Sequence, residues 1–132
     1  MQNHQVIEPE HSHQRQRQRQ RVLTTSVVKA ADIMELRQTL LARTLGVSES
    51  TVSRMKAGRY LIKEEGKEWE LAALLVRLFR SLDAIVAGDE RSLRSWLQGY
   101  NTALKDAPIN LITSVSGLTR TVDYVDAYRA RV

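Results

Sequence analysis

Between residues 48 and 59 the chain sets out a run of side chains that donate or accept hydrogen bonds: Ser48, Glu49, Ser50, Ser53, Arg54, Lys56 and Arg59. No histidine or cysteine stands among them to serve as base or nucleophile. The set suits a polyanion that also displays specific hydrogen-bonding edges. The fork of Arg54 can hold both acceptors of a guanine edge, a pair worth about 1–3 kcal/mol of discrimination. Glu49 can accept from cytosine or orient Arg54. Lys56, Arg59 and Lys63 suit phosphates, contacts that position without specifying sequence. Plain solvation is the competing reading for each of these residues. A second dense set closes the chain: Asp123, Tyr124, Asp126, Tyr128, Arg129, Arg131 and the carboxylate of Val132.

The elements that must position the first set read as helices. In LLARTLGVSESTVSRMKAG, residues 40–58, apolar Leu41, Leu45, Val47, Val52 and Met55 recur at anchoring offsets. Ala42 is small enough for one helix to cross another closely. Gly46 tolerates the positive φ a tight turn needs. Ser48 suits a helix N-cap, and Gly58 a helix end. This is the pattern of a helix-turn-helix, with helices expected over about 37–45 and from Ser48 to about Ala57. A preceding helix is expected over about 24–35, with Val27, Val28, Ala31 and Met34 on one face.

Charge divides along the chain. The 132 residues carry 20 Lys+Arg and 15 Asp+Glu, a net of +5. Residues 1–28 hold +2, residues 29–63 hold +4 and residues 64–132 hold −1. The basic excess lies in the first half, as a nucleic-acid-facing half would have it. A solvated surface with chance asymmetry reads the same way. Residues 1–22 include the alternation RQRQRQR (15–21) and all three histidines. With so few apolar groups, this tail is expected to be disordered. Its arginines are free either to touch phosphates or simply to be solvated. His4, His11 and His13 match no ligand spacing, so no metal site is expected.

The second half is expected to hold four further helices. The first, about 68–87, is apolar nearly all round, with a narrow polar stripe of Glu70, Arg77, Ser81 and Ala84. Such a helix is buried on several sides. That makes it central or an interface between subunits, and Leu71, Leu75, Leu78, Phe79 and Leu82 are the expected dimer contacts. Asp89 should cap a helix over about 90–98, whose buried face holds Leu93, Trp96 and Leu97. Pro108 should open another over about 108–115. Ser116 should cap the last, about 117–130, with Leu118, Val122 and Val125 inward. No strand period appears, so the expected class is all-α: a disordered tail (1–22), a helix-turn-helix domain (23–67) and a small helical domain (68–132).

Several classes of function fall away. Without cysteine there is no disulfide scaffold and no thiolate chemistry. There is no histidine outside the tail, no phosphate-cradling glycine loop and no paired acids. Neither an enzyme nor a cofactor is expected. No apolar run is long enough for a membrane span, and no signal core opens the chain. A soluble, cytoplasmic protein is expected.

Residues 40–58 resemble the Cro/repressor-type (Xre) helix-turn-helix. From residue 69 onward the chain resembles the toxin-binding domain of the MbcA/ParS/Xre antitoxin family. The landmarks are LLVRLFRSLDAIVAGD (74–89), Trp96-Leu97, Asn101 with Ala103-Leu104, Pro108, Ser114, Gly117-Leu118 and DYVDAYR (123–129). One departure is local: the family often has Gly-Gly before the proline, where this chain has Asp106-Ala107.

The resemblance implies an antitoxin of a RES–Xre toxin–antitoxin pair. Its partner would be a RES-domain toxin that degrades NAD or uses it for ADP-ribosylation. The C-terminal module would obstruct the toxin's active site, and the helix-turn-helix would repress the shared operon. A NAD pocket satisfies rings and anionic groups, so Tyr124, Asp126, Tyr128, Arg129, Arg131 and Val132 are the expected toxin contacts. The expected DNA contacts are Ser48, Glu49, Ser50, Ser53, Arg54, Lys56 and Arg59, made with operator DNA by a homodimer or a larger hetero-oligomer. The alternative is a stand-alone dimeric repressor, whose second half only dimerises.

Overall fold

The computed structural model describes residues 9–131. Seven helices carry them, and among the described residues there is no strand, only an isolated bridge between Asn101 and Asp106. The helices are α1 (Pro9–Met34), α2 (Gln38–Leu45), α3 (Glu49–Lys56), α4 (Lys67–Ile85), α5 (Glu90–Gln98), α6 (Pro108–Leu111) and α7 (Val115–Ala130). The all-α expectation holds.

The tail departs from the expected disorder. From Pro9 onward it is not an unstructured lead-in but the first half of α1. Residues 1–8, with His4, lie outside the described residues. Absence of apolar residues argues against burial, not against helix. The second half of α1 buries Val27, Ala30, Ala31 and Met34. That packed half supplies the nucleus, and propagation outward costs little through Arg and Gln, both good helix formers. Glu10 in the first turn adds favourable charge at the helix start.

The sharp turn between α2 and α3 rests on Gly46, which sits at φ +70° and closes α2 with bonds back to Ala42 and Arg43 carbonyls. Ser48 then caps α3, its Oγ accepting from the Thr51 N–H at 3.1 Å. Val52 and Met55 of α3 pack with Leu41 and Leu45 of α2. These are the anchors expected from the spacing.

α4 runs through the middle, against α1, α2, α5 and α7. This overturns the four leucines among the expected dimer contacts. Leu71, Leu75, Leu78 and Leu82 lie buried in the chain's own core, and Phe79 is half-buried against it. An apolar-all-round helix is satisfied here by surrounding it with neighbours from the same chain. The core is continuous from Val27 to Val125, so the two expected domains share one interior. Arg94 of α5 fastens them further. Its Nε donates to the Ile33 carbonyl at 2.8 Å and it pairs with Glu35 at the end of α1.

The last third departs from expectation in detail. α6 is one turn only, ending at Leu111. Ser114, not Ser116, caps α7 by accepting from the Gly117 N–H at 3.0 Å. Gly117 is required by contact: a Cβ there would lie 2.0 Å from the Leu111 carbonyl oxygen. The Asp106-Ala107 departure also has a use. Asp106 Oδ1 accepts from the Ala107 N–H (2.7 Å) and from Asn110 Nδ2 (3.0 Å), bracing the start of α6.

Candidate functional site

Two surfaces gather the polar residues singled out by the sequence. The first is the outer face of α3. Ser48, Glu49, Ser50, Ser53, Arg54, Lys56 and Arg59 are all exposed, while Thr51, Val52 and Met55 turn inward. The 3.6-residue period puts the packing set on one side and leaves the other for a partner.

Hydrogen bonds order this face. Gln38, opening α2, donates through Nε2 to the Glu49 carbonyl at 2.9 Å and to Ser53 Oγ at 3.2 Å. Thr39 Oγ1 donates to Glu49 Oε1 at 3.1 Å. Glu49 is thus held by α2, and it does not orient Arg54. That task falls to two other residues. An Arg54 terminal nitrogen donates to Thr51 Oγ1 at 3.1 Å. Its guanidinium also lies 5.7 Å from the Tyr60 ring centroid, a cation–π distance. The Tyr60 hydroxyl in turn donates to the Glu68 carboxylate at 2.9 Å. Burial first, and then the bond to Glu68, push the Tyr60 hydroxyl up to about 12. Ser48 is spent on its cap: its Oγ accepts from the Thr51 N–H and contacts Ser50 and Thr51 hydroxyls.

Gln38, Thr39, Tyr60 and Glu68 were missed by sequence reasoning. Gln38 and Thr39 carry a legible signal, since the first turn of the first helix of such a pair lies beside the start of the second. Tyr60 and Glu68 carry none, because a connector of no fixed geometry separates them.

The second surface is the end of α7, and the expected contacts there divide between two sides of the helix. Asp126 and Arg129 face a groove of about 920 Å³ between α1, α4 and α7. Val22, Leu23, Trp69 and Val76 give it an apolar floor, and Arg19, Arg77 and Arg80 share its rim. Asp126 is tied into α4. Its Oδ1 accepts from Ser81 Oγ at 2.9 Å, and the Arg77 guanidinium pairs with Oδ2. Oδ2 is shut off from solvent and has no aligned hydrogen-bond donor. Arg77 and Ser81 of the polar stripe of α4 therefore face α7. Ser81, a member of that stripe, is buried.

Tyr124 and Tyr128, one turn apart, face the other side. With Trp96, Ile85 and Val86 they border a cleft of about 200 Å³. Tyr128 is half-exposed and Tyr124 packs against the core. Trp96, expected in the core, is half-buried at this cleft. Arg131 is exposed just past α7, and Val132 lies outside the described residues. Among the described residues no His, Asp or Glu cluster is placed to hold a metal. No helix among them is long and apolar enough to cross a membrane.

Comparison with known families follows the same division. Residues 13–77 match the antitoxin Xre-like helix-turn-helix domain. Residues 81–131 match the antitoxin Xre/MbcA/ParS C-terminal toxin-binding domain. No curated protein matches the chain. The first match begins at residue 13, ahead of the RQRQRQR alternation (15–21), and so takes that whole stretch in with the helix-turn-helix. The chain belongs to the Xre family of antitoxins, not to a family of enzymes: a DNA-binding helix-turn-helix joined to a toxin-binding domain.

Proposed function

We propose that the chain neutralises a RES-domain, NAD-consuming toxin by obstructing its active site with the end of α7, and represses its own operon in the cytoplasm. The observation that carries this reading is the exposed, charged end of α7, with an indentation on each side, standing apart from the basic face of α3. The RES assignment rests on the resemblance of residues 69–132. Tyr124, Tyr128, Asp126, Arg129, Arg131 and Val132 are the proposed toxin contacts. The side chains of Glu49, Ser50, Ser53 and Arg54, with the backbone at Ser48, face the major groove, and Lys56 and Arg59 face phosphates. Two copies would read half-sites one DNA turn apart, about 34 Å. With the α4 leucines consumed by the core, the copies must meet through other surfaces.

Co-expression with the product of the adjacent gene tests this. Expected are rescue of growth, co-purification of the two proteins, and NAD levels restored from those of cells expressing the toxin alone. Growth unaffected by the neighbour, with repression of the promoter intact, would favour a stand-alone repressor instead.

A further inference from the structure

The first half of α1 is a helix without a partner. Among the described residues its first ion pair with the body is made by Arg19, to Glu64, and its first hydrogen bond beyond that by Gln20, whose Nε2 donates to the Ile62 carbonyl at 3.1 Å. Before that point residues 10–18 are exposed, apart from half-buried Gln16. A helix that is polar all round has no apolar stripe to lay on a protein or a bilayer. Successive residues turn by about 100°. Arg15 and Arg19 therefore share one side, and Arg17 and Arg21 lie nearly opposite. Positive charge surrounds the arm, and Glu10 is its one acidic residue between 9 and 21. Among the described residues Arg15, Arg17 and Arg21 make no ion pair.

The place of the arm matters as much as its charge. The connector from α3 runs back along α1: the Ile62 N–H donates to Thr24 Oγ1, its carbonyl accepts from Gln20, and Glu64 meets Arg19. Exposed Lys56, Arg59 and Lys63 line this path from the recognition face to the base of the arm. The groove beside α7 takes in Arg19 but not Arg17 or Arg21. The base of the arm thus stands at the end of a basic path that leads from α3.

We propose that residues 10–21 form a second DNA-contacting element: a helical arm whose Arg15, Arg17 and Arg21 bind backbone phosphates outside the segment read by α3. This rests on the reading of α3 as the DNA-binding face and enlarges its footprint. Phosphate contacts of this kind carry affinity and salt dependence without sequence preference.

The test uses the full chain with R15Q, R17Q and R21Q combined, since glutamine keeps helix propensity and removes only charge. Affinity for the chain's own promoter fragment and for an unrelated duplex is measured across salt concentrations. Each lost phosphate contact lowers the slope of log K against log salt by about 0.9. The expected fall is about 2.7 units, which is about 40-fold less affinity change between 50 and 200 mM salt. The promoter-to-unrelated ratio should not move, and the corresponding triple Arg→Lys variant should keep the slope. An unchanged slope in the glutamine variant would overturn the arm, all the more if its affinity for the toxin fell instead. Wild-type protein that binds no DNA would remove the reading the arm rests on. Wild-type binding with an unchanged variant slope would remove the arm alone.

Discussion

The faces of α3 and α7 differ in how their polar groups are held. On α3 the side chains are exposed but ordered from their flanks, by Gln38 and Thr39 on one side and by Thr51 and Tyr60 on the other. On α7 the groups are half sunk into the body: Asp126 is bound to Ser81 and Arg77, and Tyr124 packs on the core. A face that must match a regular duplex gains from side chains fixed on a rigid helix, because little rotamer freedom is lost on binding. A face that enters a pocket needs depth and two-sided contact. On the proposed function, the indentations on either side of the α7 end would let a partner grip it from two sides.

The largest effect that separates the faces should come from deleting residues 126–132. Neutralisation in the growth assay should be lost, while promoter binding stays within a few-fold of wild type. Full neutralisation by the truncated chain would break the assignment of the α7 end. On the other face, Arg54→Ala should weaken promoter binding by about 1–3 kcal/mol and relax sequence preference, with toxin binding unchanged. Unchanged affinity and preference in a promoter titration would remove Arg54 from base contact.

Gly117→Ala should spare neither face selectively. Its new Cβ meets the Leu111 carbonyl oxygen, so α6 and α7 must separate. Overpacking of this kind costs about 1–3 kcal/mol, seen as a lower Tm. A Tm equal to wild type would show that the α6–α7 joint yields freely.

The smallest effect concerns the support under Arg54. The Tyr60 hydroxyl is pushed up to about 12 from the usual ~10. Because its folded value is raised, its contribution to stability is complete below the unfolded value and is lost as pH rises through the folded one. Ultraviolet titration should show Tyr60 titrating late, and Glu68→Gln should bring it part of the way back toward the ordinary value. A late titration that survives Glu68→Gln would assign the shift to burial alone.

What the sequence made legible follows the same contrast. The helix-turn-helix was readable because its constraints are local: a small residue at the crossing, a glycine at positive φ, and apolar anchors at fixed offsets. The Ser48 and Asp89 caps were readable for the same reason. Long-range partners were not. No spacing rule joins Ser81 to Asp126, or Tyr60 to Glu68, so the tie between α4 and α7 and the brace behind Arg54 emerged only with the fold. The α4 leucines show the limit of periodicity. It reports that a helix is buried on all sides but not whether the cover comes from the same chain. The arginine stretch shows a second limit. Composition reports that a segment cannot build a core, yet a helix nucleated elsewhere can run through it.

Two partners are proposed to meet two separate faces. Hydrogen exchange of the full chain, alone, with promoter DNA and with the product of the adjacent gene, tests that most directly. DNA should slow exchange in residues 49–56 and leave the end of α7 unchanged. The toxin should slow exchange in residues 121–131 and leave α3 unchanged. Protection of α3 by the toxin, with the end of α7 exchanging as in the free chain, would contradict it.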